Sequence, residues 1–254
     1  MTDLAVHRFR GRDGVELAWR EIGTGQPVVL LHGLFGSGTL MARDGLSRAL
    51  AGHGYRVILP DQRGHGDSGH PHDPACYPPD VLADDGLALI GHLGLDDYHL
   101  AGYSMGGKVV LRLLARGARP TRAIVGGQGL DALDAASDRT DGYRTLLAAM
   151  ANGDRFEPGS QQEAFAGWIT QTGADPRAVG LLLGAFIATP HDTVRQVPTP
   201  TLIVVGDGDS RSASAGELAA LLPRGRLVLV PGDHGTALSA PEFTAAVLDF
   251  LRLG

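Results

Sequence analysis

Ser104, Asp207, Asp209 and His234 each stand directly after an apolar run in this chain of 254 residues. Ser104 sits in Gly102-Tyr103-Ser104-Met105-Gly106, a match to G-x-S-x-G. The two aspartates follow Thr201–Val205 in Gly206-Asp207-Gly208-Asp209, and the histidine follows Arg226–Val230 in Gly232-Asp233-His234-Gly235. A serine alcohol is a weak nucleophile until a base takes its proton, and imidazole titrates near neutral pH. A carboxylate on the far ring nitrogen fixes the tautomer and stabilises the imidazolium that forms. Serine, aspartate and histidine occur here in the chain order found when a nucleophile rides on a strand-to-helix elbow. Glycines two residues before and after Ser104 suit such an elbow, because strand and helix must cross closely there. The helix behind the serine turns its free N–H groups and positive dipole end toward charge forming at the hydroxyl.

Two other readings of these residues are available. Gly102 to Lys108 also fits most of G-x-x-x-x-G-K, a phosphate-cradling loop, but the magnesium-holding Ser or Thr of that motif is replaced by Val109. His65, His70, His72, Asp67, Asp73 and Cys76 crowd one stretch, yet their spacing matches no zinc pattern, so no metal and no cofactor is expected. His32, after Pro27–Leu31, is expected to be a buried structural histidine.

Positioning these groups requires a scaffold of strands whose ends meet. Ala5–Arg10 and Val15–Ile22 alternate apolar and polar residues around Gly11-Arg12-Asp13-Gly14, which predicts an antiparallel hairpin. Pro27–Leu31, Tyr55–Leu59, the run ending at Gly102, Arg122–Gly126, Thr201–Val205 and Arg226–Val230 read as further strands. Helical periodicity falls at Leu40–Leu50, Pro79–Leu93, Ser104–Arg116, Ala213–Leu222 and Pro241–Leu251. Alternation of this kind predicts a mainly parallel sheet between helices, with ligands at the carboxyl ends of its strands. From Gly129 to Arg195 the rhythm lapses into helices alone, an insertion at the sheet and not a separate domain.

Composition narrows the class. A hydrophobic fraction of 43% with 20% charged residues describes a folded globular chain. A net charge of −6 with no basic block gives no nucleic-acid surface. Neither a signal peptide nor a membrane-spanning run is visible, and the single cysteine, Cys76, fits a cytoplasmic protein. Lys108 is the only lysine among 22 basic residues, which reads as a coding bias toward arginine.

Taken together, His32-Gly33-Leu34-Phe35-Gly36, Asp61-Gln62-Arg63-Gly64-His65-Gly66-Asp67-Ser68, Gly102–Gly107, the Asp207/Asp209 loop and Gly232-Asp233-His234 resemble the α/β-hydrolase superfamily. The resemblance spans the core on both sides of the insertion. It implies an α/β-hydrolase fold: a mostly parallel eight-stranded sheet flanked by helices, with a core at 1–128 and 196–254 and a helical cap at 129–195 inserted after the sixth strand. It also implies Ser104 as nucleophile, His234 as general base, and Asp209 as acid through the family spacing Gly-x-x-Asp, leaving Asp207 to form the turn. Relatives that carry the acid one strand earlier would place it near Gln128, which cannot serve, with Asp131 the nearest carboxylate. Asp233, beside the histidine, is expected to face solvent.

The main-chain N–H groups of Leu34 and Met105 match the family's oxyanion donors. A serine in place of the aspartate of epoxide- and halide-processing relatives implies acyl transfer to water. The expected activity is that of a carboxylesterase-like serine hydrolase without cofactor. Its expected partner is a small-molecule ester, and no nucleic acid or membrane is expected. Phe35, Phe156, Phe165, Trp168 and Phe186 are candidates to line the acyl pocket, with Ile187 beside them. Across 129–195 nine Asp and Glu face five Arg, which argues for a neutral ester and against a polyanionic carrier. The same residues would serve a carbon–carbon bond hydrolase of the ring-cleavage type, or a ligand-sensing relative with slow turnover.

Overall fold

A computed structural model describes residues 4–135 and 138–252. Eight strands form one sheet in the order β1-β2-β4-β3-β5-β6-β7-β8. They are β1 (His7–Arg10), β2 (Glu16–Ile22), β3 (Gln26–Leu31), β4 (Tyr55–Asp61), β5 (His99–Tyr103), β6 (Arg122–Gly126), β7 (Thr201–Gly206) and β8 (Gly225–Val230). β1 and β2 form the antiparallel hairpin, β2 runs antiparallel to β4, and all pairs from β4 to β8 are parallel.

Strand order reverses at β3, which lies between β4 and β5. The loops leaving β3 and β5 therefore diverge to opposite sides and open a crevice between them, the place where an open parallel sheet receives ligands. The loop after β3 carries His32 to Gly36, and the turn after β5 carries Ser104.

Alternation along each strand sends residues into two cores. On one face Val29, Leu31, Leu100 and Val125 pack with Val109, Val110 and Leu113 of α4 (Met105–Ala115) and Leu89 of α3 (Val81–His92). On the other, Val28, Leu30, Leu59 and Ile124 meet Leu46 and Leu50 of α2 (Gly45–Gly52), and Phe243 and Val247 of α10 (Pro241–Arg252). α9 (Ser212–Leu221) joins the first core through Ala215 and Leu218.

The helix predicted over Leu40–Leu50 is in fact two, α1 (Gly38–Arg43) and α2. Asp44 separates them: its N–H closes α1 onto the Met41 carbonyl, while its side chain accepts from the Leu46 N–H and caps α2.

The insertion follows β6. It holds α5 (Asp138–Asn152), α6 (Gln161–Thr172), α7 (Pro176–Leu182) and the short α8 (His191–Val194), and no strand among its described residues. Ser160 caps α6 by accepting from the Glu163 N–H, and the Glu163 side chain reaches back past it to the Gly159 N–H. Asp175 caps α7 ahead of Pro176. These helices share a small apolar core of Leu146, Leu147, Ile169, Val179 and Leu183, into which Phe35 inserts from the main fold. Phe35 therefore pins the insertion over the crevice.

Candidate active site

Ser104 is forced into an unusual backbone conformation by its neighbours. Its φ of 54° and ψ of −119° lie outside the regions that L-residues favour. A side chain at Gly102 would strike the Gly106 backbone, and one at Gly106 would strike the carbonyls of Leu31 and His32. These contacts leave room only for glycine and bring β3, β5 and α4 together at one point. The strained serine is tied down on both sides. Its N–H donates to the Gly126 carbonyl at 2.9 Å, and its carbonyl accepts from the Lys108 N–H at 3.1 Å and from the Gln128 side-chain amide. Because α4 begins at Met105, no open loop of amides remains between Gly102 and Gly107 to cradle a phosphate.

A continuous relay starts at the serine hydroxyl. Ser104 Oγ lies 2.8 Å from His234 Nε2, and His234 Nδ1 lies 2.6 Å from Asp209 Oδ2. The other oxygen of Asp209 accepts from the Arg211 N–H at 3.1 Å, with the Arg211 guanidinium at 3.4 Å. Burial opposes the charge on Asp209, but the bonds from His234 and Arg211 outweigh it and hold its pKa below the ordinary carboxylate value. An ionised carboxylate offers only acceptors, so Nδ1 donates to Asp209 while Nε2 faces the serine oxygen.

Asp207 accepts from the Gly232 N–H at 3.2 Å and Asp233 caps its own turn, accepting from the N–H groups of Gly235 and Thr236. Among the described residues neither they nor Asp131 bonds to the His234 ring.

Tyr103 links the serine elbow to the histidine loop. Its hydroxyl donates to the His234 carbonyl at 2.7 Å, and its ring stacks on the imidazole with centroids 5.3 Å apart. Burial raises the Tyr103 pKa, so the hydroxyl remains a donor.

The turn after β3 presents a second set of donors. His32 is fully buried: its Nε2 accepts from the Gln62 N–H at 3.0 Å and its Nδ1 lies 2.8 Å from the Gly33 carbonyl. Burial lowers its pKa and keeps it neutral. A Cβ on Gly33 would lie 3.3 Å from the Ser104 Cβ, so this turn packs directly against the serine. Phe35, with φ of 65°, completes the turn. Among the described residues the N–H groups of Leu34 and Met105 donate to no protein acceptor, and both residues line the cavity containing Ser104.

That cavity has a volume of about 750 Å³ and opens under the insertion. Phe35 meets Tyr143, Phe165 and Trp168 edge-on at centroid distances of 5.7, 6.0 and 5.8 Å, and Phe165 stacks on Trp168 at 5.4 Å. Phe186 completes the aromatic lining. Lys108 also lines it; its ammonium donates to the Asp134 carbonyl and stands 5.1 Å from the centre of the Phe186 ring. Burial pulls the Lys108 pKa down, against the fields of Asp134 and Asp131.

With this geometry in place, kinship can be read. A family model described as the alpha/beta hydrolase fold matches residues 26–126. The non-heme haloperoxidase of Rhodococcus erythropolis is 31% identical over 277 residues, covering 94% of this chain and 97% of that protein. The chain belongs to the α/β-hydrolase family. This α/β-hydrolase superimposes on a bromoperoxidase from Bacillus anthracis with a TM-score of 0.77 at 28% identity, covering 98% of this chain and 100% of that one. It superimposes on a thermophilic esterase from Thermogutta terrifontis with a TM-score of 0.76 at 26% identity, covering 98% of each.

Within the hydrolase, the candidate residues fall into two groups. Ser104, His234, Leu34, Met105, Phe35, Phe165, Trp168 and Phe186 share the cavity, and Asp209 stands behind His234. Phe156 packs against the insertion's apolar core without reaching the cavity, and Ile187 lines a smaller void beside Lys108. Tyr143, Lys108, Gln128 and Arg211 are cavity residues that sequence reasoning passed over. The histidine-rich stretch disperses: Asp67 pairs with Arg20, His72 lies 2.7 Å from Asp175, and Asp73 caps a short turn at Ala75. Among the described residues no group of three or more His, Cys, Asp or Glu is arranged to hold a metal. Among them, too, no helix is long and apolar enough to cross a membrane.

Proposed function

We propose that this hydrolase cleaves carboxylic esters of small molecules through an acyl-enzyme on Ser104. The observation that carries the reading is the unbroken relay from Ser104 Oγ through His234 to Asp209 at the wall of a cavity. His234 Nε2 takes the serine proton as Oγ attacks the ester carbonyl. The oxyanion that forms receives the N–H groups of Leu34 and Met105, donors of a kind worth about 10²–10³ in rate each. The imidazolium then protonates the departing alkoxide. Water attacks the acyl-enzyme with His234 again as base, and the acid leaves. Asp209 orients the ring and balances its charge at both steps. Helices 129–195 act as a cap whose aromatic lining receives the acyl portion. The lone Cys76 fits work in a reducing, cytoplasmic setting.

Hydrolysis of p-nitrophenyl acetate, butyrate and octanoate by the wild type and by Ser104→Ala tests this. Saturable turnover should fall by about 10⁶ in kcat in the variant. Equal rates in the two proteins would refute the proposal.

A second reading is favoured by the name of the Rhodococcus erythropolis relative, a non-heme haloperoxidase. Hydrogen peroxide in place of water would attack the same acyl-enzyme, breaking the acyl–Oγ bond to release a peracid. Bromide and a proton would then return the peracid to carboxylic acid and yield hypobromous acid. Bromination of phenol red that requires acetate, peroxide and Ser104 would establish it.

A further inference from the structure

The chain meets every need for a basic side chain but one with arginine; the exception is Lys108. That residue is one helical turn beyond Ser104 on α4, and its N–H bonds to the Ser104 carbonyl. Its side chain lines the cavity that contains the serine and His234. The ammonium is held from the insertion side by the Asp134 carbonyl and the face of Phe186.

An ammonium carries three donors, and the Asp134 carbonyl occupies one of them. Among the described residues no carboxylate forms a contact ion pair with it; the bond to Asp134 is to the main-chain carbonyl. A half-buried cation beside an aromatic ring gains strongly from an anionic oxygen that completes its hydrogen bonding. The second cation of the cavity, Arg211, is already engaged by Asp209 at 3.4 Å. The carboxylates of Asp134 and Asp131 also act on the ammonium, but both residues are exposed, and water and salt screen their fields over about 8 Å. The acidic surplus across residues 129–195 argued for a neutral ester; the charge inside the cavity wall points elsewhere.

We propose that Lys108 determines substrate specificity by receiving a carboxylate remote from the scissile bond, so that the preferred substrates are monoanionic esters. The proposal rests on the ester-hydrolase reading and names the charge that reading leaves open. The carboxylate can be carried on the acyl side, as in a half-ester of a dicarboxylic acid, or on the alcohol side, as in an acylated hydroxy acid.

Two substrate pairs separate these sources. Mono-p-nitrophenyl glutarate is compared with its methyl ester, and O-butyrylglycolate with methyl O-butyrylglycolate, followed by pH-stat. In one pair the anionic member should be preferred at least about tenfold in kcat/KM. Lys108→Met should lower that ratio at least tenfold, and Lys108→Arg should retain part of it. The ratio is independent of enzyme lost to misfolding, and a melting curve checks that each variant is folded. No anionic preference in either pair, or a preference undiminished in Lys108→Met, overturns the proposal. Loss of hydrolysis of all four esters and of p-nitrophenyl butyrate by the wild type refutes the ester reading instead, and this proposal with it.

Discussion

Replacing Asp209 with asparagine tests the relay at the point where shape and charge can be separated. The side chains are nearly isosteric, so the loop should keep its form. In the wild type Asp209 Oδ2 accepts from His234 Nδ1 at 2.6 Å, and Oδ1 faces the Arg211 N–H and guanidinium at 3.1 and 3.4 Å. Both groups of Arg211 are donors, so they claim the oxygen of an asparagine. Its NH₂ then has to face His234, and Nδ1 must become the acceptor. The ring proton moves to Nε2, where it points at Ser104 Oγ and leaves nothing to take the serine proton.

A wrong tautomer enforced in this way costs about 10⁴ in kcat. At about 1.36 kcal/mol per decade this is about 5.5 kcal/mol of transition-state stabilisation. Steady-state hydrolysis of p-nitrophenyl butyrate measures it, with Asp207→Asn as the control. Asp207 accepts a single main-chain N–H at 3.2 Å on the far side of the turn, so its variant should stay within about threefold of the wild type. An Asp209→Asn enzyme that retains a tenth of the activity, or an Asp207→Asn enzyme that loses more, would refute the assignment of the acid.

Three further outcomes are expected. Tyr103→Phe removes the bond to the His234 carbonyl and keeps the ring stack, so kcat should fall about fivefold to tenfold at constant KM; a change in KM alone would contradict this positioning role. Gly106→Ala drives a methyl group into the carbonyls of Leu31 and His32, and a cost of about 3 kcal/mol or more should lower Tm by at least about 6 °C. Burial, with His32 alongside, pushes the His65 pKa down to about 3 from the ordinary 6.5. The folded state therefore binds fewer protons than the unfolded chain, and stability present above pH 6.5 is lost as pH falls toward 3, by up to about 1.4 kcal/mol per pH unit. Tm followed from pH 7 to pH 4 should fall less steeply in His65→Gln, and parallel curves would refute the argument.

Much of this was written in the chain because particular residues have few alternatives. Gly102 and Gly106 are legible because no other residue fits where β3, β5 and α4 touch. The strands read clearly because β4, β5 and β7 are buried on both faces and carry mainly apolar residues. The break at Asp44 was harder to see, since the apolar spacing continues through it and only a local cap divides the helix. Phe156 and Phe165 look alike in sequence and both pack against the insertion's core, yet only Phe165 also lines the cavity. That distinction depends on how the helices sit on Phe35, which is tertiary information.

Gln128 lacks the carboxylate that a catalytic acid needs. Its place immediately beyond β6, beside the β5 elbow, was nevertheless a signal, and its amide supports the Ser104 carbonyl. Lys108 reads only as composition in the sequence, because nothing on its own helix hints at Asp134 or Phe186 across the crevice.

The spread of the relay along the chain has a consequence for how activity is acquired. Ser104 and its base are 130 residues apart, and His234 follows β8, which closes the sheet at one edge. Closing so long a loop is entropically costly and belongs to the slow, non-local part of folding. The first six strands and the elbow all precede the insertion in the chain, whereas His234 lies beyond it. Under the mechanism proposed above, a nascent or refolding molecule would be catalytically silent until β7 and β8 have docked. On the proposed mechanism, turnover during refolding should return only with the last edge of the sheet and should lag the return of helical signal.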